Sequence, residues 1–229
     1  MYGSSIDWAG QVLEHVTGQK LGEYLEEHIL SPLGMNSTTF WPHARADLKD
    51  RLATITFRPV NPNGSEPLIA IPSPAPVEHE IESAGAGLYS TRGDYTKFLA
   101  ALMRGDKVLF QQDGTRDLLF APQLNDVQRA AMEKAVDAQR NVFAPEFPPG
   151  TPADFGFGGM INKADLPGRR KAESIMWSGY ANAHWWIDRA SGVAGVLFVT
   201  VMRDPGGDPV VIKLYKELEE AVYAGLGSC

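Results

Sequence analysis

The residue types that can cleave an ester come together near the end of the sequence. Ser178, His184 and Asp188 supply a hydroxyl, an imidazole and a carboxylate, the groups that nucleophilic acyl transfer combines. They alternate along two predicted neighbouring strands, and no feature of that pattern orients one group toward the next. We interpret them as a chance set, and a self-contained hydrolase built on Ser178 stays as an alternative.

The last third of the chain predicts the strands that would carry these groups. Runs rich in β-branched and aromatic residues occur at 174–178, 183–188 and 193–202. The links between them are short, which implies antiparallel neighbours. A cap and a first-turn proline at 208–209 then begin a helix. Its predicted buried face consists of Val211, Leu214, Leu218 and Val222.

The first two thirds of the chain are mainly helical by pattern. An apolar stripe predicts a helix at 4–17, and a second helix at 21–30 is stopped by Pro32. Thr91 is an N-cap candidate for a helix that ends before Gly105. Further helices are predicted at 111–120 and 126–138, a short strand at 53–58, and irregular chain at 42–83 and 142–154. This order predicts an α+β fold with a helical region at 1–154 and a strand-and-helix region at 155–229, together one interdependent unit.

Composition excludes several classes of protein. The 21 basic and 28 acidic residues give a net charge of −7, so no basic face is available for nucleic acid. No apolar run approaches the roughly 20 residues of a membrane-spanning helix. Cys229 is the single cysteine, which excludes an internal disulfide and a thiolate cluster. With no leader pattern at the start, we expect a cytoplasmic protein without a membrane partner.

Other motifs have structural interpretations. The glycines of 156–159 lack the spacing and context of a dinucleotide fingerprint, and predict the start of a strand pressed against another segment. The basic residues 169–171 follow Pro167 and Gly168, and predict a solvated turn. No metal-ligand spacing joins His15, His28, His43 and His79.

Four segments carry a resemblance to a known family. They read YGSSIDWAG at 2–10, LSPLGMNST at 30–38, GAGLYST at 85–91, and WSGYAN at 177–182. Together they resemble the beta-lactamase-related serine hydrolases, which include class C beta-lactamases, penicillin-binding proteins, family VIII esterases and fungal acyltransferases. The last segment is most similar to the fungal branch. The resemblance implies a beta-lactamase/transpeptidase-like fold and acyl transfer on a small-molecule ester or acyl donor, without metal or organic cofactor.

The resemblance also implies roles for individual residues. Tyr2 matches the catalytic tyrosine that moves protons beside the nucleophile. Tyr180 follows the strand motif, and its backbone N–H matches an oxyanion-hole donor. Ser4 stands where many relatives have a substrate-contacting Asn. The strand motif itself, which contacts substrate, matches Trp177, Ser178 and Gly179.

The family's nucleophile motif, Ser-x-x-Lys, does not occur in this sequence. None of the serines has a lysine three residues later. Thr17 and Lys20 match in form, but they fall at the end of the first predicted helix. In relatives the motif precedes the tyrosine by many tens of residues. We therefore expect the C-terminal part of such an enzyme, inactive alone; the alternative is a non-catalytic module that binds small molecules or partners.

Overall fold

The computed structural model describes residues 3–59, 66–202 and 207–226. The chain divides into two compact units. Unit 1 comprises Met1–Thr54 and Pro72–Gln111, and unit 2 comprises Ile55–Ile71 and Gln112–Cys229. None of the helices in the described ranges combines the length and the apolar character that a membrane-spanning helix requires.

Unit 1 is helical, as the apolar periodicity of its sequence predicts. Its helices are α1 (Ser5–Thr17), α2 (Leu21–Leu25) and α3 (Arg92–Arg104). The π-helical turn Glu26–Leu30 extends α2, and short 3₁₀ turns lie at Pro42–Ala44 and Lys49–Arg51.

The ends of the helices in unit 1 follow local chemistry. Gly18 adopts a φ of 73° and donates its N–H to the Glu14 carbonyl, which ends α1. The Thr91 hydroxyl accepts from the Asp94 amide at 3.2 Å, and Gly105 ends α3 at a φ of 72°. Both ends predicted for α3 are therefore confirmed.

Unit 2 contains a two-stranded and a five-stranded antiparallel sheet. The small sheet pairs β1 (Thr56–Phe57) with β2 (Ile69–Ala70). The larger sheet follows chain order: β3 (Ala153–Gly156), β4 (Gly159–Asn162), β5 (Ser174–Ser178), β6 (Ala183–Asp188) and β7 (Val193–Phe198). The helices of this unit are α4 (Thr115–Phe120), α5 (Asp126–Ala138), α6 (Arg140–Phe143) and α7 (Pro209–Leu226).

The strands β5 and β6 have the predicted bounds, but the sheet is larger than the predicted meander. β3 and β4 each have four residues, too few to display an alternating pattern. The glycines of 156–159 nevertheless lie where a strand begins and packs closely against another segment, as the sequence predicts. A Cβ on Gly159 would lie 2.6 Å from the Met176 carbonyl, and one on Gly156 would lie 2.8 Å from the Leu119 carbonyl. Only glycine allows β3 and β4 to pack this closely against their neighbours.

Register assigns the side chains of the sheet to its two faces. Met176 pairs with both Met160 and Trp186, so these three side chains lie on one face. Tyr215 of α7 meets the Trp186 ring edge-on at 5.7 Å on that face. Met160, Met176, Trp186 and Tyr215 are all buried and form the centre of the core.

The basic run at 169–171 is not a solvated turn, and that prediction is wrong. Arg170 is fully buried. Its Nε and Nη2 donate to the two carboxylate oxygens of Glu219 at 2.7 and 2.9 Å, and Nη2 also donates to the Tyr215 hydroxyl. The partners belong to α7, 45 and 49 residues further along the chain, so local sequence gives no sign of them.

We expect Glu219→Gln to lower the free energy of unfolding by about 3 kcal/mol, because it removes the carboxylate that is hydrogen-bonded to the buried Arg170 guanidinium and leaves only the more distant Glu146, at 3.9 Å, as counter-charge. Urea unfolding followed by circular dichroism measures this. The matched control is Glu220→Gln on the same helix, whose side chain is 47% exposed and should change stability by less than about 0.5 kcal/mol. Equal effects of the two substitutions would contradict the interpretation.

Candidate functional site

The turn between β5 and β6 is held rigidly. The Gly179 amide donates to the Ala183 carbonyl at 2.8 Å, and the Asn182 amide donates to the Gly179 carbonyl at 3.1 Å. Asn182 adopts a φ of 56°, a left-handed conformation that asparagine tolerates better than most residues. Its side-chain amide donates to the Val201 carbonyl at 2.8 Å, which fixes the turn to the chain after β7.

Tyr180 is the part of this turn that faces outward. Its side chain is 58% exposed. Among the residues that the structure describes, none accepts a hydrogen bond from its backbone N–H. The turn therefore presents a fixed N–H donor that an anionic oxygen can approach.

The strand motif divides its side chains between the two faces of the sheet. Trp177 pairs with Trp185, and Ser178 pairs with His184. Because neighbouring residues of a strand point to opposite faces, Trp177 lies on one face with Trp185, and Ser178 lies on the other. The Ser178 side chain is buried on the face that α7 covers. Trp177 is half-buried, and Phe155 meets its ring edge-on at 5.4 Å.

Ser178, His184 and Asp188 do not form a catalytic triad. The buried Trp186 lies between His184 and Asp188 on the same face of β6, and four residues of strand separate them by roughly 13 Å. Asp188 accepts instead from the Lys171 amide, the Ser191 amide and the Tyr223 hydroxyl. Burial opposes ionisation of this carboxyl, but these hydrogen bonds outweigh it and lower the pKa of Asp188.

Unit 1 brings together the first and third segments of the resemblance. Asp7 of α1 accepts from the Ser83 hydroxyl at 2.7 Å and from the Gly85 amide at 3.0 Å. These two hydrogen bonds lower the pKa of Asp7. Ser4 lies at the N-terminal end of α1, exposed, with no side-chain bond to the helix. Tyr2 lies outside the described residues.

Asp94 anchors the second segment in the same way. Its buried carboxylate accepts from the Ser37 amide at 2.7 Å and from the Thr38 hydroxyl at 3.1 Å. The Lys97 ammonium lies 3.1 Å from the other oxygen. Asp7, in the first segment, and Asp94, three residues after the third, therefore organise loops, and unit 1 contains all three segments.

The Thr17 and Lys20 pair is not a nucleophile site. The Thr17 hydroxyl donates to the Leu13 carbonyl at 2.7 Å, as expected at a helix end, and the Lys20 ammonium pairs with Glu14 at 3.1 Å. A cleft of about 490 Å³ opens nearby in unit 1. Its Glu82 carboxylate accepts from the Gly22 amide and the Trp41 indole, so it is already used in packing.

The predicted site residues fall into two groups. Unit 2 brings Trp177, Ser178, Gly179 and Tyr180 together at one end of the sheet, and unit 1 carries Ser4. Phe155, which touches Trp177, was not indicated by the sequence, because β3 begins within the segment predicted as irregular and no strand was predicted before the glycines of 156–159.

Comparison with known proteins supports the resemblance. A family model described as Beta-lactamase matches residues 3–219. The chain is 32% identical to Monacolin J acid methylbutanoyltransferase of Aspergillus terreus over 98% of this chain and 54% of that protein. It is 29% identical to Lovastatin esterase of Penicillium rubens, over 91% of this chain and 52% of that protein.

A solved structure agrees with these matches. A variant of simvastatin synthase (LovD) from Aspergillus terreus superimposes with a TM-score of 0.90 at 33% identity. The match covers all of this chain and 55% of that one. The chain thus spans about half the length of the relatives it matches.

We expect Asp7→Asn to lower the urea midpoint of unit 1 at pH 7, because the bonds from Ser83 and Gly85 favour the ionised carboxylate. A lowered pKa contributes stability above the ordinary carboxyl pKa of about 4, and this contribution is lost as pH falls through the folded value. The difference from wild type should therefore shrink when the pH is lowered to 3. Asp50→Asn, at an exposed site in unit 1, is the control; a deficit as large at pH 3 as at pH 7 would contradict the assignment.

Proposed function

Because the chain belongs to the beta-lactamase family, we propose that it carries part of the machinery for ester cleavage and acyl transfer on small molecules. The reaction would pass through an ester on the serine of a Ser-x-x-Lys motif. The observation that carries this proposal is the fixed turn after β5, in which no described residue accepts a hydrogen bond from the Tyr180 N–H. Relatives whose names state a methylbutanoyl transfer and a lovastatin ester cleavage support the same chemistry.

The Tyr180 amide would stabilise the oxyanion. When a serine oxygen attacks an ester carbonyl, the carbonyl oxygen becomes negative and needs fixed donors. The amide of Tyr180 is in place before the reaction, because Gly179 and Asn182 hold the turn. The second donor would come from the backbone N–H of the nucleophile. Gly179 allows the substrate to approach the turn, and the Ser178 contribution is limited to its backbone, since its side chain is buried.

Tyr2 would move the proton between the nucleophile and the leaving group. A tyrosine hydroxyl ordinarily has a pKa near 10, so it is a poor base at neutral pH. A neighbouring ammonium favours the phenolate and makes proton transfer possible. The lysine of Ser-x-x-Lys would supply that charge. Ser4, two residues on, would contact the substrate beside the tyrosine.

The 229 residues contain no Ser-x-x-Lys motif, so we propose that they do not transfer acyl groups alone. A polypeptide that retains the strand motif and lacks a nucleophile could also serve as a binding module derived from this fold. The two functions differ in one respect: only a partial catalyst gains activity when a nucleophile segment is supplied.

We expect the purified chain to give no burst of p-nitrophenol from p-nitrophenyl butyrate and no labelling by a fluorophosphonate, because no activated serine is present. Stopped-flow absorbance and gel fluorescence measure these. The positive control is full-length simvastatin synthase (LovD), whose butyrylation is measured under the same conditions. A burst that the fluorophosphonate abolishes would overturn this prediction.

Co-expression separates the partial catalyst from the binding module. The partner is the part of Monacolin J acid methylbutanoyltransferase that this chain does not match, where the family resemblance implies a Ser-x-x-Lys motif. We expect fluorophosphonate labelling of the partner serine to rise when this chain is present. A chain that co-purifies with the partner but leaves its labelling unchanged would favour the binding module.

In the reconstituted pair, Tyr180→Pro should lower the rate of acylation by roughly 10²–10³-fold, because proline removes the N–H donor. Tyr180→Ala keeps the N–H and is the control, with a rate within about threefold of wild type. Acylation rates from stopped-flow measurements decide between them. Equal loss in both variants would assign the effect to the tyrosine ring and contradict the oxyanion role.

A further inference from the structure

The apolar side of α1 is turned to the outside of unit 1. Trp8, Val12 and Val16 are four residues apart and follow one row of the helix, and Ile6 and Ala9 follow the adjacent row. These five residues, which we call the α1 stripe, are all exposed. The four larger side chains are between 59% and 76% exposed. A helix at the surface of a globular protein ordinarily turns such a stripe toward the core.

The side of α1 that packs against the rest of unit 1 is the polar one. Among the residues of α1 only Gly10 is buried, and a Cβ added there would lie 3.2 Å from the Leu21 side chain. Glu14 accepts from the Leu21 amide at 3.1 Å, and Asp7 accepts from the loop at 83–85. Because these inward residues are spaced by three and four, they share the side of the helix opposite the stripe.

The charges of α1 favour a protein over a membrane as the occupant of the stripe. Helices that lie in a membrane surface carry lysine and arginine on their polar side, and α1 contains neither. The net charge of the chain is −7, which anionic lipids repel. A contiguous exposed apolar surface on a folded unit is typical of a protein interface.

The place of the stripe in the chain indicates which protein. Under the proposed function, Tyr2 works beside a Ser-x-x-Lys motif that a second polypeptide supplies. Tyr2 is only four residues before Ile6 in the sequence, a stretch of at most roughly 14 Å. A polypeptide that brings its lysine to Tyr2 therefore reaches the beginning of α1, where the stripe is the apolar surface available to it.

We infer that the α1 stripe is the docking surface for the polypeptide that supplies the Ser-x-x-Lys motif. The inference rests on the proposed function, and it adds the surface that holds the two polypeptides together. The chain covers 54% and 55% of two relatives, so the unmatched part of each is almost as long as this chain and large enough to cover the stripe. The partner surface is apolar at this place, since a charged group would lose its hydration there without a counter-charge.

A second copy of this chain fits the stripe less well. Two copies that met through their stripes would join five residues of each, whereas a stable interface uses roughly 20–30 residues per partner. Their net charges of −7 would also repel each other. A polypeptide that also contacts Tyr2 has further contacts and does not depend on the stripe alone.

The test co-expresses the full 229-residue chain with the affinity-tagged part of Monacolin J acid methylbutanoyltransferase that the chain does not match. We expect the wild-type chain to be recovered with the tagged partner. Val12→Glu should lower the recovered amount at least about tenfold, because its carboxylate would lose hydration in an apolar contact. Glutamate favours a helix more than valine does, so α1 stays folded, and an unchanged urea midpoint verifies this.

Matched variants separate the stripe from a general effect of charge. Val16→Glu, one turn further along the stripe, should act as Val12→Glu does. Val12→Ile keeps the apolar contact and should retain recovery within about threefold. Val127→Glu makes the same valine-to-glutamate change at a residue of α5 that is 80% exposed, and it should leave recovery unchanged.

The indole of Trp8 reports directly on the stripe. In a chain labelled with ¹⁵N-tryptophan, its indole N–H signal should shift when the complex forms, because the ring passes from water into a protein contact. The signal of Trp186, which is buried in the core of unit 2, should not move. Trp8→Phe assigns the signal.

Three results would overturn the inference. The first is a wild-type chain that is not recovered with the partner, and the second is equal recovery of wild type and Val12→Glu. The third is a different occupant. Sedimentation velocity would show it as a dimer of the chain alone, and flotation would show it as binding to phosphatidylcholine–phosphatidylglycerol vesicles, in either case abolished by Val12→Glu.

Failure of the docking surface can be told apart from failure of the proposed function, because recovery of the complex requires no acylation. A complex that Val12→Glu disrupts, but whose partner serine is never labelled by the fluorophosphonate, would refute acyl transfer and leave the docking surface standing. Labelling that rises equally with wild type and with Val12→Glu would refute the docking surface and leave acyl transfer standing.

Discussion

The pairing of β5 with β6 is the constraint on which the candidate site depends. With Trp177 opposite Trp185 and Ser178 opposite His184, one face carries the half-buried Trp177 and Trp185 and the other carries the buried Ser178 and His184. A shift of one residue would exchange the two sets. It would turn Trp177 and Trp185 toward α7 and Ser178 away from it. It would also change the backbone conformation of the turn that contains Tyr180. The buried contacts of Trp186 and Tyr215 make that shift costly.

Within each unit, carboxylates connect distant segments of the chain, and the proposed acyl transfer does not use them. Asp7 and Asp94 bind loop amides and hydroxyls in unit 1, and Glu219 binds Arg170 in unit 2. A buried ion pair of this kind stabilises only while both partners are present. Each of these acids joins segments far apart in the sequence. Residues of the family segments, such as Asp7, Ser37 and Gly85, therefore contribute contacts that stabilise the fold of unit 1.

The sequence predicted those features whose cause is local. The Thr91 cap, the glycine at 105 and the bounds of β5 and β6 follow from nearby residues. It missed β3 and indicated only the start of β4 through the glycines of 156–159, because four-residue strands buried among other elements show no alternation. It misread Arg170, because its partners lie on α7. Of the site, the motif at 177–180 could be found by resemblance, whereas Phe155 became a neighbour of Trp177 only through the missed strands.

Under the proposed function, a fixed oxyanion donor would explain how a chain can hold part of an acyl-transfer site and still transfer no acyl group. The Tyr180 amide would stabilise a charge that exists only after a nucleophile has attacked. Without that attack, a neutral carbonyl gains from the same N–H only an ordinary hydrogen bond, worth about 1 kcal/mol. Under the proposed function, the turn after β5 would therefore supply only a preorganised donor, and the serine of Ser-x-x-Lys would decide whether an ester reacts.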